Sequence, residues 1–204
     1  MRRSCTLVAM GICLLGVVSR VRAQGSETVT VAACLPCHGG GAAAAPAQAG
    51  TPAFPTLDGQ HEGYLAKQLR EYKSGKRKSA VMAPVIAALK TPQIRAMAAH
   101  FASQAPVRGV AENQDAAAAG KALYEEGNRA SGVPGCIGCH LPGAVGTDRY
   151  PRLAGQRPAY TVQQLTEFKN GARTNDRAHV MRAVAGRLTD AEITAVAEYL
   201  AGLQ

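Results

Sequence analysis

The 204-residue chain has no tryptophan, only three phenylalanines and six tyrosines. Large flat side chains supply much of the apolar area in small cores, so whatever folds here is short of ordinary filling. Beyond residue 23 no apolar run approaches the roughly 20 residues that a membrane-spanning helix needs. Nor is there a convincing stretch of alternating apolar and polar residues, the pattern of a half-buried strand. The expected class is therefore all-α, with no spanning helix after the first segment. Cysteine is scarce as well: six residues, two of which, Cys5 and Cys13, lie in the first 23.

Those first 23 residues have their own logic. Arg2 and Arg3 precede an apolar run from Cys5 to Val18, and Val21 and Ala23 have the spacing that signal peptidase accepts. This predicts a signal peptide over residues 1–23, cleaved after Ala23, and export from the cytoplasm. Cys13 sits inside the apolar run rather than after a small-residue box, which argues against a lipid anchor. The mature chain keeps Cys34, Cys37, Cys136 and Cys139.

The remainder repeats itself. The stretch "FPTLDGQHEGYLAKQLREYKSGKR" from Phe54 matches "YPRLAGQRPAYTVQQLTEFKNGAR" from Tyr150, 96 positions on. The segments from Met82 and Met181 pair likewise, 99 positions apart, and the cysteine loops "CLPCH" and "CIGCH" stand 102 apart. The first copy carries extra residues in the Ala/Gly-rich "GGGAAAAPAQAG". Two tandem domains follow, 24–105 and 118–204, joined by 106–117 with its Pro106 and Gly109.

Each copy reads as helical. Ile94, Met97, Ala98 and Phe101, and again Ile193, Val196, Ala197 and Leu200, recur at helical spacing. Thr91 and Pro92 suit the start of the first of these helices, and Thr189 with Glu192 forms a capping box for the second. A middle helix carries Tyr64, Leu65, Leu69 and Tyr72, matched by Tyr160, Leu165 and Phe168 after Pro158. A third, around "AAAAGKALYEEG", precedes the second cysteine loop. Domains of this size with so few large apolar residues need a staple or a filler.

The cysteine loops supply both. In Cys-x-x-Cys-His, two thiols one helical turn apart can reach the two vinyl groups of a haem while the adjacent imidazole faces the iron. A structural zinc site needs four converging ligands, yet the two cysteine pairs lie about a hundred residues apart. A thioredoxin-type pair expects a βαβ setting, and plain disulfides would leave His38 and His140 and the thin cores without a role. The loops thus predict two haem c groups attached through Cys34 and Cys37 and through Cys136 and Cys139, with His38 and His140 on the iron. On the opposite side, the mature chain offers Met82, Met97 and Met181. Met82 and Met181 are equivalent by repeat and are the expected sixth ligands. Met97 pairs with Val196 on an apolar helix face, and His179, two residues before Met181, is a local rival. His61 pairs with Arg157 and His100 with Tyr199, so neither repeats, and both read as surface or packing residues.

In these motifs, from about Ala33 to Leu203, the chain resembles the dihaem class I cytochromes c of the cytochrome c4 type. The resemblance implies His38 and Met82, and His140 and Met181, as axial pairs, with the carbonyls of Pro55 and Pro151 orienting the imidazoles. It also implies two haems close across a domain interface, in a periplasmic carrier that passes electrons towards terminal oxidases. Nitrogen on one side of the iron and thioether sulfur on the other leave no open position, so electron transfer, not catalysis, is the chemistry expected. A cytochrome subunit bound to a catalytic dehydrogenase, such as a flavoprotein, needs the same two haems and stays open beside the free carrier.

Charge is uneven. Residues 24–109 hold nine Lys and Arg against four Asp and Glu, whereas residues 110–204 hold ten against ten. The excess is concentrated in "KSGKRK", Lys73 to Lys78. One reading is a loop whose Arg77, like Arg173 in the other copy, offsets a haem propionate; the other is a docking patch for an acidic partner. In the matched stretch of the second copy, Glu167 and Asp176 are expected to offset Lys169, Arg173 and Arg177. Redox proteins are the expected partners, with a peripheral place at the membrane compatible. Nucleic acid is not expected for an exported, aromatic-poor chain.

Overall fold

The computed structural model describes residues 31–39 and 54–204. The expected signal peptide and most of the Ala/Gly-rich stretch lie outside them. Among the described residues no helix is long and apolar enough to cross a membrane.

The order is α1 (Leu35–His38), α2 (Glu62–Lys73), α3 (Met82–Ala87), α4 (Thr91–Ala102), α5 (Gln114–Glu126), a small hairpin of β1 (Gly127–Asn128) and β2 (Val133–Pro134), α6 (Ile137–His140), α7 (Pro158–Lys169), α8 (Val180–Ala185) and α9 (Asp190–Gly202). Among the described residues the hairpin is the one departure from an all-helical pattern; two residues per strand are too few for an alternating signature.

Local chemistry explains the boundaries. Thr189 Oγ1 accepts from Glu192 N–H at 3.2 Å and Glu192 Oε2 accepts from Thr189 N–H at 2.7 Å, the reciprocal cap that starts α9. Thr91 and Pro92 open α4, where proline's missing N–H costs no hydrogen bond. Helix α5 begins within the 106–117 connection: Asn113 caps it by accepting from Ala116 N–H at 3.0 Å. Glu198 Oε2, on α9, accepts from Glu112 and Asn113 N–H at 2.8 and 3.1 Å, so the connection is tied down on the second domain.

Equivalent helices pack equivalently. In the first domain α2 lies on α4 and α3; in the second α7 lies on α9 and α8, and α5 crosses α9. The second domain gathers Leu123, Tyr124, Val133, Leu188, Ile193, Val196 and Leu200 into one core. In the first, Leu65, Ala66, Ala98 and Phe101 form one cluster and Ile86, Leu89, Ile94 and Met97 another. At roughly 1.5–3 kcal/mol per buried large apolar side chain, such small clusters match the shortage of filling expected from composition.

The repeated Gly-Gln pair shows why the two copies meet. Gly59 and Gly155 both have left-handed backbone, φ 72° and 71°. A Cβ would strike Pro106 at Gly59 and the Val107 carbonyl at Gly155. Their N–H groups donate to Phe101 and Leu200 carbonyls, both at 2.9 Å, which holds each turn against the last helix of its own domain. That turn points the next residue, glutamine, into the other domain.

Candidate functional site

A cavity of about 860 Å³ runs along the junction of the two domains. Its walls include Cys34, His38, Met82 and Met97 from the first domain and Cys136, Cys139, His140 and Met181 from the second. Cys37 is half-buried, and its position in α1 is fixed by the same turn. Among the described residues none of the four cysteines is in a disulfide. Burial, then the neighbouring Cys37, raises the Cys34 thiol, and burial pushes Cys136 up to about 11.

Both histidines are buried at the ends of their one-turn helices. Nδ1 of His38 meets the Pro55 carbonyl at 3.0 Å and Nδ1 of His140 meets that of Pro151 at 2.9 Å. A carbonyl can only accept, so each Nδ1 carries the hydrogen and each Nε2 keeps its lone pair. Burial holds both imidazoles below their usual value, against the opposing pull of that hydrogen bond. Neutral, oriented rings of this kind are what a metal ligand requires.

Met82 and Met181 are half-buried on the cavity wall, whereas exposed His179 lies outside the lining. Met97 touches the cavity but belongs to the core beside Ile86, Leu89 and Ile94. His61 does more than pack: its Nε2 bonds the Val145 carbonyl across the junction at 2.8 Å, and nearby Asp148 accepts from Gly63 N–H at 2.7 Å. His100 stacks edge-on against Phe101 with ring centroids 5.3 Å apart.

The junction itself is a nearly two-fold polar surface made from repeated residues. Gln60 bonds both backbone groups of Arg152, donating to O at 2.8 Å and accepting from N at 2.9 Å. Gln156 does the same with Thr56, at 3.1 Å each. Deeper in, Arg77 donates to Gln68 and Gln164 at 2.7 Å and to Tyr160 at 3.0 Å. Arg173 donates to Gln164 at 2.7 Å, Tyr64 at 3.2 Å, Gln68 at 3.3 Å and Asn175 at 2.9 Å. Composition and periodicity miss this set, because buried polar residues on a helix read as a solvated face. The signal that finds it is identity at equivalent positions, with Tyr64, Gln68 and Arg77 recurring as Tyr160, Gln164 and Arg173.

Among the described residues, neither buried arginine has a carboxylate partner. Two guanidinium charges share neutral amide oxygens, an arrangement that calls for an anion. Arg152 Nε, on the same wall, is a buried donor with no partner among the described residues. An apolar slot with paired thiols, two oriented imidazoles, two thioethers, two buried guanidinium charges without a carboxylate and one unmet donor, Arg152 Nε, fits two haems with their propionates. The structure thus favours the propionate reading for Arg77 and Arg173 and removes Arg173 from any exposed patch.

The basic loop is less free than its sequence implies. Lys73 Nζ caps the Ala87 and Leu89 carbonyls at 2.7 and 2.6 Å, and Lys76 pairs with Glu71 at 3.3 Å. In the second copy Lys169 pairs with Asp190, and Asp176 with Arg182, rather than with neighbours in sequence. Glu167 takes hydrogen bonds from Gln163 and Gln164 instead.

Residues 23–106 and 117–204 each match the family model described as cytochrome c. Cytochrome c4 of Pseudomonas aeruginosa is 37% identical over 195 residues, which cover 93% of this chain and 94% of that protein. A protein of Thiomonas intermedia named as a thiosulfate dehydrogenase electron acceptor is 40% identical over 173 residues, 83% of this chain and 78% of that one. The crystal structure of reduced recombinant cytochrome c4 from Pseudomonas stutzeri, 37% identical, aligns with a TM-score of 0.78 over 88% of this chain and 98% of that one. With two domains of this kind and relatives of this length, the chain belongs to the cytochrome c family and, within it, to the dihaem cytochromes c4, electron-transfer proteins with two covalently attached haem c groups.

Proposed function

We propose that this chain is a periplasmic carrier of single electrons. Its first haem is attached through Cys34 and Cys37 between His38 and Met82, and its second through Cys136 and Cys139 between His140 and Met181. The observation that carries this is one cavity lined by both histidines and both methionines across the domain junction. Haem c supplies the one-electron couple. The chain supplies the rest: thioether sulfur favours ferrous iron, the proline carbonyls hold the imidazoles, and the apolar walls exclude water. In this reading residues 1–23 are removed on export, 24–105 and 118–204 are the two haem domains, and 106–117 joins them.

Redox proteins are the partners. The relative from Thiomonas intermedia, named as an electron acceptor of thiosulfate dehydrogenase, favours a second reading, a cytochrome held by a dehydrogenase. Purification from the native host separates the two. A free carrier arrives alone, with two haems per chain and two one-electron steps in a redox titration. Stoichiometric recovery with a dehydrogenase would establish the second reading, and uptake of one electron per chain would contradict both.

Docking favours the first domain. The excess of positive charge carries this choice: Lys76 and Lys78 stand at the surface ahead of Met82, whereas Val81 and its counterpart Val180, each just before a methionine, are alike at 38% and 39% exposed. Opposite charges speed encounter, and exposed charges are screened over a Debye length of about 8 Å at physiological salt. Changing Lys76 and Lys78 to Gln should slow oxidation by the host's oxidase-containing membranes at low salt and flatten the salt dependence. Lys73 is left intact because it caps α3. Unchanged rates across a salt series would remove the docking role.

A further inference from the structure

The loops that deliver the two methionines are built differently. Between the repeated arginine and the methionine, the first copy has Lys78 to Val81 and the second Thr174 to Val180, three residues more. The short loop is closed within its own domain: Met82 N–H donates to Ser79 Oγ at 3.1 Å. The long loop reaches out. Asn175, 2% exposed, donates from Nδ2 to Gln68 Oε1 at 3.0 Å and to Glu71 Oε2 at 2.7 Å, both on α2 of the first domain. Its backbone carbonyl accepts from Lys67 Nζ at 3.0 Å, also on α2, and its Oδ1 accepts from Arg173 Nε at 2.9 Å.

The next residue turns the chain home. Asp176 accepts from Arg182 N–H at 3.1 Å and from Arg182 Nε at 2.8 Å, which fixes the start of α8 beside Met181. Burial pushes the carboxyls of Glu71 and Asp176 upward, yet hydrogen bonds from Lys67 and Asn175 at one and from Arg182 at the other hold both below their ordinary range. Between the anchors, Ala178 and His179 have left-handed backbone, φ 51° and 60°. Residues other than glycine avoid that region, so the path to Met181 is held by its ends rather than by its own preference.

We propose that Asn175 is a positioning residue that fastens the Met181 loop to the first domain, so that ligation of the second haem depends on domain docking while ligation at Met82 does not. The inference rests on Met181 being an axial ligand. It makes α2 a shared element: residues that wall the first haem also hold the loop that closes the second iron. Displacement of α2 then reaches the second iron through Gln68, Glu71 and Asn175, whereas the shorter loop to Met82 has no counterpart of Asn175: the bonds of the first copy to Tyr160 and Gln164 come from Arg77, before that loop begins.

The test uses three holoprotein variants: Asn175→Ala, Glu71→Ala and Met181→Ala. Imidazole is titrated into each oxidised protein and followed by the sulfur-to-iron charge-transfer absorption, with methionine methyl resonances in the reduced protein identifying the haem. Outer-shell partners of metal ligands change affinity by about tenfold or more. Asn175→Ala and Glu71→Ala should each bind imidazole about tenfold more tightly than wild type at one haem, the one opened fully by Met181→Ala. Glu71→Ala is the sharper arm, because the substitution lies in the first domain and the response in the second. If both variants titrate like wild type while Met181→Ala opens one haem, the link is absent and the ligand assignment stands. A response of Glu71→Ala at the Met82 haem instead would show a local effect and overturn the proposal. If Met181→Ala opens neither iron, the assignment fails and the positioning role goes with it.

Discussion

Met82→Ala and Met181→Ala should each leave one iron open, the first in the first domain and the second in the second, so that each variant binds one equivalent of cyanide where the wild type resists it. Loss of the thioether also removes a ligand that favours ferrous iron. The potential of the affected haem should fall on the order of 0.1 V, a modest part of the ~0.8 V range that axial ligands span. Met97→Ala is the control. It is 3% exposed in the cluster with Ile86, Leu89 and Ile94, so its removal should cost about 2–5 kcal/mol of stability and open neither iron. Cyanide binding to Met97→Ala, with both other variants closed, would move the ligand to α4.

Replacing Gln60 and Gln156 together with Ala should separate the two domains without releasing either haem. Each glutamine satisfies one N–H and one C=O of the opposite domain, those of Arg152 and of Thr56. A buried backbone group left unpaired costs about 1–3 kcal/mol, and four lose partners at once. The arginines in the same junction then have less to hold them together, since they depend on acceptors from both domains. Calorimetry of the double variant should show two transitions where the wild type shows one, with each single variant between. One unchanged transition would mean that the junction is held by the haems and the arginine cluster alone.

Much of the site is readable in the chain because covalent haem attachment is local chemistry. Cys34 to His38 and Cys136 to His140 are each one helical turn, and their roles need no knowledge of distant residues. The helices carrying Ile94 to Phe101 and Ile193 to Leu200 are legible for a similar reason: periodicity reports the face a helix turns to its own core. The junction is not legible that way. Gln68 and Gln164 sit at positions where a polar residue normally means water, and only the opposite copy explains their burial. Lys73 carries the same lesson, since its carbonyl partners come from the end of α3 and are set by packing. The partners of Lys169 and Asp176 differ from the expected ones because chain proximity is a poor guide to which charges meet across a turn.

The Met181 loop falls between these cases. Its three extra residues are plain in the sequence, but their purpose depends on α2 lying within reach of Asn175. An insertion beside an expected ligand is therefore a reason to look for a distant anchor, even where the motif on either side repeats.

Closure of both irons by methionine, as proposed above, has a direct spectroscopic signature. A methyl group held over a haem is shifted far upfield by the ring current, so the proton spectrum of the fully reduced holoprotein reads the ligation of both centres at once. Two separate sets of upfield methionine signals, one lost in Met82→Ala and the other in Met181→Ala, are the expected result. A spectrum of the wild type with one set, or with none, would contradict it.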